Sequence, residues 1–121
     1  MMMTQEQAFL KSRQQLQTLH AYVEEASSQG ERIDKVEREL FSQLLLIGHT
    51  LLEGFVAAQG VGDEGPALQQ EERTLQRSEE VQERRYLSIF GELLIARYVY
   101  AAGEKQKTAA PLDARLSLPA D

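Results

Sequence analysis

The sequence predicts a mainly α-helical chain that closes with a β-hairpin, an α+β arrangement. Three observations carry this. Before residue 58 two stretches place apolar residues at helical spacing behind capping residues. At Tyr86 the pattern changes to aromatic and β-branched residues around Gly91-Glu92. Between them lies a Gly-rich and then acidic stretch without apolar periodicity. The expected layout is a helical hairpin over residues 1–58 (two long antiparallel helices), a Gly-rich loop and acidic connector over 59–85, a two-stranded hairpin over 86–101 and an irregular tail over 102–121.

Thr4-Gln5-Glu6-Gln7 fits the capping-box pattern, with Phe9, Leu16, Leu19 and Val23 following at helical spacing, so the first helix runs from about Gln5 to Ser28. Gly30 supplies its left-handed stop. Asp34 with Glu37 repeats the capping logic for the second helix. There Val36, Leu40, Leu44, Ile47, Leu51 and Phe55 form one stripe, which Phe41, Leu45, Leu52 and Val56 widen. Polar positions are confined to Ser42, His49 and Glu53. A helix this apolar needs cover on several sides, and the first helix can supply one. Self-association is therefore expected, with Leu44, Ile47, Leu51 and Phe55 at the contact.

Gln59 to Pro66 contains three Gly and one Pro in eight residues and reads as a loop. Ala67 to Arg85 is rich in Gln, Glu and Arg, whose helix-favouring character predicts a solvated helix over a mobile connector. In the hairpin, Gly at the first central position suits a type II′ turn at Gly91-Glu92, with Phe90 opposite Leu93. Leu87, Ile89, Leu94, Ala96 and Tyr98 would then share one face and Tyr86, Phe90, Leu93, Ile95 and Val99 the other, both at least partly buried.

The 121 residues have room for one modest core. The chain has no Cys, which excludes disulfides and thiolate metal sites and predicts a reducing, cytoplasmic setting. The amino terminus has no signal-peptide pattern. The window from Leu40 to Ala58 is long enough to span a bilayer but holds Gln43, His49 and Glu53, so it is expected to be buried in protein and no membrane partner is expected. A net charge of −6 argues against self-sufficient nucleic-acid binding. Only residues 85–121 are not acidic, with five basic and four acidic side chains.

Little in the chain suggests catalysis. His49 and Glu53 lie four apart and could share a metal, but two ligands make no site, so none is expected. Gly60-x-Gly62-x-x-Gly65 matches a dinucleotide fingerprint only as a string, since it follows a helix and precedes Pro66. Arg84, Arg85, Arg97, Lys105, Lys107 and Arg115 could track a phosphate backbone, with Tyr86, Phe90, Tyr98 and Tyr100 interleaved and Glu83, Glu92 and Glu104 opposing them.

The segment YLSIFGELLIARYVYAAGEKQK, followed by PLDARLSLP, resembles the amino-terminal region of ISKra-type (group four) insertion-sequence transposases. The upstream VERELFSQLLLIGHTLLEGFVAAQGVGDEGP is similar to the same family, and together these cover most of residues 33–119. The resemblance implies a DDE-type transposase whose RNase H-like domain uses acidic residues to hold two divalent metals. Those residues come after the matched region, so no catalytic residue carries over and no cofactor is expected in this chain. It further implies DNA-end binding or transpososome assembly, with DNA engaged only by the full transposase. The alternative is a free-standing helical dimerisation module without a DNA role.

Overall fold

The computed structural model describes residues 3–103 and 108–119. Among the described residues three helices and six strands occur in the order α1 (Gln5–Gln29), α2 (Ile33–Ala58), β1 (Ala67–Gln70), β2 (Arg73–Arg77), β3 (Gln82–Ser88), β4 (Gly91–Arg97), β5 (Tyr100–Ala101), β6 (Thr108–Ala109) and α3 (Pro111–Arg115). Two long helices precede a region of antiparallel strands and a short tail, which is the α+β class the sequence predicts. The chain divides into two compact units, Met1–Ala58 with Leu87–Leu93, and Gln59–Tyr86 with Leu94–Asp121.

In the first unit α1 begins on a complete capping box: Gln7 N donates to Thr4 Oγ1 at 3.1 Å, and Thr4 N donates to Gln7 Oε1 at 2.9 Å. It stops at Gly30, which adopts the left-handed conformation (φ 63°) while Glu31 N donates to Ala26 O. Helix α2 starts at Ile33, so Asp34 lies in its first turn and not at the cap; Arg32 and Arg38 both donate to its carboxylate. The α1 face that packs inward is made mostly of small residues. Ala8, Ser12, Leu19 and Ala26 are buried on α1, with Thr50, Gly54 and Val56 on α2, whereas Phe9 and Leu16 are 38% and 43% exposed. A Cβ on Gly54 would come within 2.9 Å of Ala8 Cβ, so the end of α2 lies against the start of α1 and the pair is antiparallel. Ser12 Oγ donates to Phe9 O and Thr50 Oγ1 to Leu46 O, so both buried hydroxyls are satisfied within their own helices.

The expected burial of α2 is not found. The helix is long and apolar enough to cross a membrane by length and composition, yet 17% of its most apolar stretch is buried. Helix α1 covers the Thr50–Gly54 side, and the ring of Phe90, from the tip of the β3–β4 hairpin, covers Gly48. Phe41, Leu44, Leu51 and Phe55 remain 68%, 52%, 44% and 50% exposed.

The second unit corrects the connector. Residues expected as a solvated helix form β1 and β2, paired antiparallel from Ala67↔Gln76 to Gln70↔Arg73. Helix propensity yields here to the burial of Leu75, which is 0% exposed. The two strands are joined through Glu71, which takes a positive φ of 56°. The expected irregular tail also contributes order. Strand β5 pairs with β2, β6 with β5, and the four strands run in the order β1-β2-β5-β6. Leu75, Ile95, Tyr100 and Leu112 are the large, fully buried side chains of this unit. Gly62 (φ 68°) passes so close to α3 that a Cβ would meet Leu112 N at 2.9 Å.

The hairpin exists, but its turn lies earlier than expected. Ile89 and Phe90 form the turn, and Glu92 is in β4. Neither Ile89 nor Phe90 has positive φ, whereas Gly91 does (112°), and a positive-φ glycine just after the turn lets a three-residue loop re-enter its strand. Ser88 Oγ braces it by donating to Gly91 O and accepting from Phe90 N. Of the two faces expected to be at least partly buried, Leu93 and Ile95 of one are buried, whereas on the other Leu87, Ile89 and Leu94 are 82%, 88% and 52% exposed and Ala96 and Tyr98 half-buried. Tyr98 and Val99 leave the hairpin, Tyr98 N donating to Val61 O, and Tyr100 belongs to the four-stranded sheet.

Candidate functional site

The basic residues singled out from the sequence do not form one surface. Arg84, on β3, is 7% exposed; its Nη1 donates to Asp113 Oδ2 at 2.9 Å and its Nη2 to Pro119 O. Arg97, at the end of β4, donates through Nε to Asp113 Oδ1 at 3.0 Å and through Nη1 to Gln82 O at 3.1 Å. One carboxylate thus lies between two guanidiniums, all three side chains being less than one-fifth exposed. A charged hydrogen bond of this kind is short and strong, and a phosphate could reach either arginine only by displacing Asp113.

Arg85 alternates to the exposed side of β3. Arg115 is exposed and its Nη2 donates to Gln59 O at 2.6 Å. Lys105 and Lys107 lie outside the described residues. The aromatic residues are engaged as well. Tyr100 is fully buried, its hydroxyl donating to Gly65 O and accepting from Glu64 N, which ties the Gly-rich loop to β5. The Arg77 guanidinium lies 4.8 Å from the Tyr98 ring centroid. Arg77 also pairs with Asp63 at 2.7 Å. The Gly65 backbone N–H first, and then Arg77, hold the Asp63 carboxyl below the usual aspartate range.

His49 and Glu53 are paired with each other. Glu53 Oε1 is 3.2 Å from His49 Nδ1, and His49 Nε2 donates to Glu92 O at 2.7 Å, which fastens the hairpin tip to α2. Among the described residues no group of three or more His, Cys, Asp or Glu could hold a metal ion. A groove of about 420 Å³ opens beside Leu68 and Gln70 of β1 and Thr108 and Ala109 of β6, so both edges of the four-stranded sheet border it.

What the chain presents most clearly is the apolar strip on α2. Leu44, Leu51 and Phe55, three of the four residues expected at a contact, are exposed on it, and Ile47 is half-buried beside them. Sequence reasoning missed Asp113 and Phe90 as organising residues. Asp113 sits in a five-residue helix whose partners are 16 and 29 positions away, and only the PLDAR string marked it. No protein-family model, no curated protein and no solved structure matches this chain.

Proposed function

We propose that this chain is a non-catalytic amino-terminal region of a DDE-type insertion-sequence transposase, and that its work is assembly of protein chains, with DNA engaged only by the full transposase. The observation that carries the assembly role is the contrast between two surfaces. Two of the candidate phosphate-contacting arginines are turned inward onto Asp113, while α2 leaves Ile33, Phe41, Leu44, Leu46, Leu51 and Phe55 exposed. The transposase assignment is supported by the coupling of its two motif segments, because Arg97 of the FGELLIAR stretch is paired with Asp113 of PLDAR. Residues that resemble the family at these positions then act as a scaffold, which suits a region that positions other domains.

A second reading, a free-standing helical interaction module, uses the same α2 surface and differs in the sequence encoded downstream of residue 121. Reading the coding sequence beyond that codon separates the two. Continuation, in frame or after one shift, into a domain with spaced Asp, Asp and Glu is expected. An intact terminator with no such remnant would leave the interaction module as the correct account.

A further inference from the structure

We infer that His49 and Glu53 form a proton-operated latch for the hairpin tip, which stays docked on α2 while a proton lies between His49 Nδ1 and Glu53 and is released when that proton is lost. Both ring nitrogens face acceptors: Nε2 is 2.7 Å from Glu92 O, and Nδ1 is 3.2 Å from Glu53 Oε1. A carbonyl oxygen only accepts, so the first contact requires a hydrogen on Nε2. A neutral imidazole would then turn a bare Nδ1 toward a carboxylate, and the second contact forms only when the pair shares one more proton. The arrangement with both contacts made is therefore that of the proton-loaded pair.

After that proton leaves, one N–H remains for two acceptors. A hydrogen bond to a carboxylate is roughly twice as strong as one to a neutral carbonyl, so the hydrogen settles on Nδ1 facing Glu53. Nε2 then presents a lone pair to Glu92 O, and the polar tie that holds Phe90 over Gly48 becomes a repulsion. The surroundings leave this pair in control. Residues 87–93, the part of the hairpin that belongs to the helical unit, carry one titratable side chain, Glu92. Helix α1 turns Ala8, Ser12, Leu19 and Ala26 inward, while its Glu6, Lys11, Arg13, His20, Glu24 and Glu25 are exposed. On α2 the charged residue next nearest to His49 after Glu53 is Glu39, almost three turns away. The His49 and Glu53 side chains are 28% and 33% exposed, which lets the proton exchange with solvent.

NMR of the full chain tests the latch. The imidazole nitrogen shifts identify which nitrogen of His49 carries hydrogen, and the nuclear Overhauser peak between the Phe90 ring and Gly48 Hα reports docking. Between about pH 5 and about pH 9, which brackets the range in which histidine changes charge, the peak should lose most of its intensity as His49 passes from the doubly protonated to the Nδ1–H form. Glu53→Gln supplies an amide that donates to Nδ1 without the extra proton, so in that variant the Nε2–H form and the peak should persist across the whole range. A peak that survives at high pH in the unaltered chain overturns the latch, because Glu53 then turns to solvent and leaves the Nε2–H bond in place. A peak that in Glu53→Gln fades equally, or is missing throughout, overturns it as well. So does a loss that runs in step with the helical circular dichroism, since the whole helical pair would then be unfolding.

Discussion

The Phe90 ring lies against Gly48, where a Cβ would come within 2.4 Å of its Cε1. Gly48→Ala sets two effects against each other. Alanine in a helix interior gains about 1 kcal/mol over glycine, whereas overpacking costs typically about 1–3 kcal/mol. Net destabilisation of roughly 1 kcal/mol is expected, read as a lower urea midpoint. A raised midpoint would mean the ring swings away without loss.

Asp113→Asn should be far more damaging than any change on the surface of α2. It leaves the buried Arg84 without its carboxylate, and breaking such a pair destabilises by about 3–5 kcal/mol. Arg32→Ala, which removes an exposed pair with Asp34, should stay within about 1 kcal/mol. Equal midpoints for the two variants would show that Asp113 does not organise the second unit.

These positions also show what a sequence can disclose. Thr4, Gln7 and Gly30 were legible because capping is a contact over three or four residues. The hairpin was legible from its aromatic and β-branched run, but its turn was displaced because Gly91 acts just after the turn and not within it. Strands β1 and β2 were hidden: their joining loop uses Glu71 where glycine or asparagine would have signalled, and Leu75 is the one fully buried side chain they contribute. At the candidate site the exposed α2 strip came from helical spacing, whereas the role of Arg84 depends on a partner 29 residues away that no local pattern announces.

Gly91→Val tests the displaced turn. The φ of 112° is unfavourable for a β-branched residue, while the nearest atom to an added Cβ, His49 Cδ2 at 3.8 Å, leaves room. The loss of about 1 kcal/mol or more therefore comes from backbone strain and should appear in the denaturation midpoint. An unchanged midpoint would mean that this backbone conformation is not required.

Asp63 supplies a pH signature. Its folded-state affinity for a proton is lowered, first by the Gly65 N–H and then by Arg77. Its contribution is present above the ordinary aspartate value and is lost as pH falls through the lowered folded value. NMR titration of the Gly65 amide should show a midpoint below the usual aspartate range, and Arg77→Gln should raise it only partway. A midpoint at the ordinary value would remove the pairing.

Supercoiled plasmid incubated with the chain and magnesium or manganese should stay supercoiled. Nicking that disappears in Asp113→Asn or Glu92→Gln would refute the non-catalytic assignment.

The reach of Asp113 back to Arg84 also has a consequence in time. At a synthesis rate of roughly 5–20 residues per second, the 29 positions between them take about 1.5–6 s to be added. During that interval β3 and β4 can pair, but Arg84 must remain hydrated, since its guanidinium has no carboxylate to be buried with. Closure of the second unit therefore waits for the arrival of the PLDAR segment and is not set by formation of the hairpin.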